Sequence, residues 1–161
     1  MRLPNFPQPL ARVLRRLPAL PASASLVALL NLVAWKSLKD LDWAPLRGRR
    51  FCVHLRDTGL RAYFSVSRHG FVTEVNEQAD VTFTATTEDF ARLALRVDDP
   101  DTLFFNRRLL IEGNTDLGLR VKNMLDAVEL ETVMQHLPAA LSRVVANVRL
   151  KAQQREIAGA H

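Results

Sequence analysis

The chain has 161 residues, the length of one domain with a short extension. With 48% apolar and 24% charged residues it is neither disordered nor fibrous, and the lone Cys52 excludes an internal disulfide and any cysteine-based metal site, which fits a reducing, cytoplasmic setting. A net charge of +5 suits an anionic partner, or is simply the balance of a basic domain, because net charge says nothing about clustering.

Pro4, Pro7, Pro9, Pro18 and Pro21 fall close together at the start, and proline's missing N–H works against regular structure there. Between Pro9 and Pro18, Leu10, Val13, Leu14 and Leu17 share a helical face, with Arg12, Arg15 and Arg16 on the other. This basic amphipathic turn rests either on anionic lipid or on the domain with its arginines in water. A helix is predicted over Ala22–Leu38, capped by Ser23 or Ser25 and apolar nearly all round from Leu26 to Trp35. Such a helix is buried or touches a membrane. It is too short for a span, which takes about 20 apolar residues, and no small-residue cleavage site follows it, so it is expected to stay in the mature protein.

A loop with Pro45 and Gly48 then predicts a boundary, dividing the chain into an N-terminal segment, 1–44, and a second unit, 45–161. Beyond it the apolar period changes to two. Phe51, Val53 and Leu55 share one face of a strand over Arg50–Arg56, and Asp57-Thr58-Gly59 makes a turn into a partner over Arg61–Ser67. His69-Gly70 leads to a third strand, Phe71–Asn76, and Asp80–Thr86 is a fourth, with Val81, Phe83 and Ala85 on one side. Consecutive strands with tight turns predict an antiparallel meander.

Thr86 or Thr87 caps the next helix, where Phe90, Leu93, Ala94 and Val97 form the apolar face. After it come a polar turn stiffened by Pro100, the pairs Phe104-Phe105 and Arg107-Arg108, and a fifth strand over Leu109–Glu112 that Gly113 stops. Asn114, Thr115 and Asp116 can cap a helix whose stripe is Leu117, Val121, Met124, Leu125 and Val128. Helix continues through Val133, Met134 and Leu137 to Pro138, and Leu141, Val144, Val145 and Val148 carry a last amphipathic helix. The fold class is α+β: a five-stranded antiparallel sheet with helices over one face, plus the N-terminal apolar helix.

Catalytic chemistry finds little support. His54, His69, His136 and His161 are scattered, with no metal-ligand spacing between them. Cys52 shares a strand face with His54, yet nothing else about it reads as a nucleophile. Asp98, Asp99 and Asp101 flank a proline at a helix end and read as turn and capping groups, since they lack a calcium-loop spacing. Gly113 and Gly118 do not form a dinucleotide motif, no phosphate-binding loop is present, and no pattern of aromatics interleaved with arginines suggests nucleic acid. No catalytic residue, metal or cofactor is therefore expected. What stands out is apolar surface beyond what one sheet face needs: Phe51, Val53, Phe83, Phe90, Leu93, Phe104, Phe105, Ile111, Leu117, Val121, Met124 and Leu125 are either the candidate lining of a lipid cavity or a solid core with no hole. By position, Asn106, Arg107 and Arg108 are candidates for its polar mouth.

The alternating strand Phe51–Leu55, the Asp80–Phe83 strand leading into Thr87–Leu95, and the Ile111-Glu112-Gly113 stop before a helix resemble the sterol carrier protein 2 (SCP2) domain family. More narrowly, the apolar helix ahead of the sheet, Pro45–Arg49 (PLRGR), and Asp99–Gly113 (DPDTLFFNRRLLIEG) followed by Asp116–Glu129 resemble the bacterial accessory factors of ubiquinone biosynthesis. The resemblance implies a non-enzymatic lipid-binding factor, without cofactor, in oxygen-independent ubiquinone synthesis. Its apolar cavity would hold polyprenyl-phenol intermediates for partner enzymes, beside the iron–sulfur proteins UbiU and UbiV, in the cytoplasm and peripheral at an anionic inner-membrane surface. The alternative is a scaffold for biosynthetic enzymes, or a membrane dock, without a stoichiometric ligand. An enzyme using Cys52 or the Asp98–Asp101 cluster is a third reading.

Overall fold

The computed structural model describes residues 19–126 and the isolated helical positions Gln135, Arg143, Ala146, Leu150 and Gln154. The basic turn Leu10–Leu17 and the amphipathic stripe Leu141–Val148 lie outside the described residues as elements. The period-two stretch forms β1 (Arg50–Leu55), β2 (Arg61–Ser67), β3 (Gly70–Thr73) and β4 (Val81–Ala85), and β5 (Leu110–Gly113) completes a five-stranded sheet in the order β3-β2-β1-β4-β5. Gly59 takes φ +75° in the β1–β2 turn, as the sequence requires.

The meander expectation holds only for β1–β2–β3. Residues 74–80 carry the chain back from the β3 edge to the open side of β1, where β4 pairs in parallel. The reason lies in β1. Phe51 stands opposite Phe64 on one side and Val81 on the other, so a central strand with a large buried face needs apolar neighbours on both flanks. Asp80 fixes the crossover: its carboxylate accepts the Arg50 N–H at 2.8 Å, its N–H donates to the Arg50 carbonyl, and its carbonyl accepts the Asn114 N–H.

Three helices follow the sheet's strands: α3 (Thr87–Ala94), α4 (Pro100–Phe105) and α5 (Thr115–Asp126). Thr86 caps α3, its hydroxyl accepting the Asp89 N–H. The predicted polar turn before Phe104 is instead the short helix α4: Asp99 accepts the Thr102 N–H at 2.7 Å, and Pro100 occupies the first turn, where its missing N–H is not needed. Asn114 does the same for α5, accepting the Leu117 N–H. Gly118 lets α5 lie directly on the sheet, because a Cβ there would sit 2.2 Å from a methyl of Ile111.

The N-terminal helix runs as α1 (Ala19–Leu29), a π-helical stretch (Leu30–Ala34) and α2 (Trp35–Leu38). Ser23 and Ser25 are interior to it and do not cap it; each donates to the carbonyl four residues back. Ser23 also accepts the Tyr63 N–H, and the Asn31 amide bonds both the N–H and the carbonyl of Phe71, each at 2.8 Å. Asn31 thereby occupies backbone groups on an edge strand that would otherwise invite another chain. The helix is buried on one side only. Val27 and Leu38 join the core, while Leu29 and Leu32 are 53% and 59% exposed.

Candidate lipid-binding layer

One face of the sheet and the helices over it enclose a continuous apolar layer. Phe51, Phe83 and Leu117 are buried in it, together with Leu46, Val81, Leu103 and Leu109. Val53, Phe90, Leu93, Ile111, Val121, Met124 and Leu125 pack against this core and are only partly buried. These ten sequence candidates are therefore brought together. Phe104 and Phe105 are placed elsewhere. Their rings meet edge to face at 5.7 Å, and Phe105 stands 76% exposed at the end of α4.

The sequence reading missed the layer's aromatic end. Trp35, Trp43, Phe71, Phe64 and Phe51 form an unbroken chain of rings with neighbouring centroids 5.6–6.1 Å apart. Phe64 and Phe71 could have been found by extending the β1 alternation, since Phe64 opposes Phe51. Trp43 carries no local signal: it sits in a loop and is anchored by its indole N–H on the Leu38 carbonyl, a bond that exists only once helix and loop are folded together.

The proposed mouth residues separate. Arg108 is committed to Asp89 and Asp98, whereas Asn106 and Arg107 are exposed, Arg107 in a left-handed turn at φ +56°. A more open basic groove of about 490 Å³ lies elsewhere, between Pro45 and Arg49 on one side and Asn114, Asp116, Leu117 and Arg120 on the other.

The Asp98–Asp101 cluster is structural. Asp98 accepts from Arg92 at 2.6 Å and from Arg108 at 3.1 Å, Asp99 is the α4 cap, and Asp101 pairs with Lys122. Among the described residues no group of three His, Cys, Asp or Glu is placed to hold a metal. Burial pushes the Cys52 thiol up, away from the thiolate that a nucleophile requires. His54 reaches Thr84 at 3.4 Å across β1 and β4.

Asp98 also yields a pH prediction. The Arg92 hydrogen bond holds its carboxyl below the usual value, against an opposing push from burial. A depressed folded pKa means the stabilisation is present above the unfolded value of about 4 and is lost as pH falls through the folded pKa. Wild type should therefore melt above Asp98→Asn at neutral pH, with the gap closing in acid. A gap that stays constant down to about pH 3 would show that the carboxylate's charge is not what stabilises.

A five-stranded, mostly antiparallel sheet with helices packed on it defines an α+β domain, and the SCP-2 sterol transfer family model matches residues 29–126; the chain belongs to that family. It is 45% identical over 114 residues to the Escherichia coli K12 protein named ubiquinone biosynthesis accessory factor UbiT. That match covers 69% of this chain and 63% of the relative, so the chain spans somewhat under two thirds of the curated protein. The solved structure of a UbiJ-SCP2 ubiquinone synthesis protein has the same fold, with a TM-score of 0.52 at 18% identity, covering 68% of this chain and 96% of that one.

Proposed function

We propose that this protein is a non-enzymatic lipid-binding accessory factor of ubiquinone biosynthesis, working in the oxygen-independent route. It holds polyprenylated phenol or quinone intermediates in the apolar layer and offers their rings to partner enzymes of the UbiU and UbiV kind. The observation that carries this is the layer's construction. Phe90, Leu93, Ile111, Val121, Met124 and Leu125 are half-buried side chains on helices and the edge strand β5, able to part around a tail without disturbing the central strands. The similarity to UbiT supports the choice of ligand. Each methylene moved from water into such a layer contributes about 0.8 kcal/mol, so a tail of ten supplies roughly 8 kcal/mol with no polar motif.

The carrier meets its ligand at an anionic bilayer. No described helix is long and apolar enough to cross one, but Leu29 and Leu32 are exposed on the N-terminal helix, and Lys36 and Lys39 follow on its exposed side. Apolar side chains beside cations suit an acidic lipid surface.

Native mass spectrometry of the protein purified from a quinone-making host, followed by solvent extraction, tests the carrier. A co-purifying prenylated phenol or quinone near one per chain is expected. A protein that arrives empty and takes up no added quinone would make it a scaffold. Phospholipid alone would make it a membrane dock.

A further inference from the structure

The ligand's ring needs a place as well as its tail, and the aromatic end of the layer has the chemistry for it. Resting on the carrier reading above, we infer that the ring of a prenylated quinone or phenol is received in a slot that opens between Trp35 and the Trp43–Phe71 pair, with Asn31 as the latch. Three observations lead there.

Trp43 and Phe71 are buried and fixed. Trp43 is held by its indole hydrogen bond, and Phe71 lies in β3 against Phe64. Trp35 is only partly buried and touches both, at 6.1 Å and 5.6 Å between centroids. It is the movable wall. Flat rings favour offset stacks or edge contacts with other rings, and an electron-rich indole suits an electron-poor quinone.

Trp35 also follows directly on the π-helical stretch Leu30–Ala34. A π turn is rare within a helix and is frequently found at functional positions. Here it carries Asn31, whose amide bonds the N–H and carbonyl of Phe71. Beside Asn31 the strand has Gly70, where a Cβ would come within 2.6 Å of the amide oxygen, so the latch fits closely. Releasing two hydrogen bonds that water can replace lets this segment move outward. Trp35 then leaves Trp43 and Phe71, and a ring-width slot opens onto the same sheet face that holds Phe51 and Phe83. The tail would run from there along the half-buried side chains.

The chain's two tryptophans, Trp35 and Trp43, are both walls of the slot, so intrinsic emission reports ring occupancy directly. The full chain is titrated with ubiquinone-1, which has a single prenyl unit, and with farnesol, which has a tail and no ring. Occupancy is followed in parallel by native mass spectrometry. Saturable loss of most of the emission is expected with ubiquinone-1 and none with farnesol. Trp35→Leu should weaken ubiquinone-1 by roughly tenfold, the upper end of what one aromatic stack supplies, and leave farnesol uptake unchanged. Trp35→Phe, which keeps a ring and the packing, should restore quinone affinity. Asn31→Ala should speed the onset of quenching.

Quinone bound by mass with emission unchanged, or bound equally well by Trp35→Leu, would overturn the slot and place the ring elsewhere in a working carrier. An onset rate unaffected by Asn31→Ala would remove the latch. Uptake of neither probe would fell the carrier reading and the slot with it.

Discussion

Replacing Arg108 by methionine should lower stability by about 3 kcal/mol, read as a shift in the urea midpoint with no change in slope. The size follows from what is left behind. Arg108 pairs with Asp89 and, at 3.1 Å, with Asp98; the Asp89 side chain is only 7% exposed. Without the guanidinium a buried carboxylate loses its counter-charge, and breaking a buried pair from one side costs roughly 3–5 kcal/mol. The lower end applies because the Thr86 hydroxyl still donates to Asp89 at 2.9 Å and Asp89 sits in the first turn of α3. Lys122 provides the contrast. It pairs with Asp101, whose side chain is 52% exposed. Lys122→Met orphans a carboxylate that water already solvates, so the loss should stay under about 1 kcal/mol. Equal losses in the two variants would mean that the burial of the abandoned charge does not set the cost. Quinone uptake should survive Arg108→Met, since this arginine braces α3 and the turn after it through its bonds to Asp89 and Asp98.

The elements that local chemistry dictates were legible in the sequence. Alternation placed the strands, Thr86 or Thr87 and the run Asn114–Asp116 marked two helix starts, of which Thr86 and Asn114 are the caps, and Gly59 announced its turn. Ten of the twelve apolar candidates lie in one layer because period and hydrophobicity together decide which face is buried. Three features were hidden, two of them for a nonlocal reason. The parallel pairing of β4 depends on which edge of β1 remains free, and nothing in residues 74–80 says so. Phe105 reads like its neighbour Phe104, but the end of α4 at Asn106 turns it outward, and a short helix following an Asp-Pro start was not foreseen. The aromatic chain joins residues from a helix, a loop and three strands through contacts that appear only on folding. Ser23 misled because a hydroxyl near a helix start usually caps; here it serves the Tyr63 N–H across the fold.

Phe51→Ala should be the most damaging apolar substitution, costing about 3–5 kcal/mol and lowering the melting temperature by roughly 10–15 °C. Phe51 is 1% exposed on the central strand, stacked on Phe64 at 5.6 Å, with Val81 beside it in register. Strands on both flanks hold the backbone, so the vacated space cannot close by collapse, and the cavity adds to the lost transfer energy. Phe105→Ala removes the same side chain from a site already 76% exposed and should change stability by no more than about 0.5 kcal/mol. The comparison bears on function as well as stability. A bound prenyl chain stabilises the folded state in proportion to how far its concentration exceeds its dissociation constant. If the tail can reach the space left by Phe51, ubiquinone should raise the melting temperature of Phe51→Ala by more than it raises that of wild type. If quinone protects both equally, Phe51 belongs to the fixed floor, and the parts that yield to a ligand are the half-buried side chains of the helices and of β5.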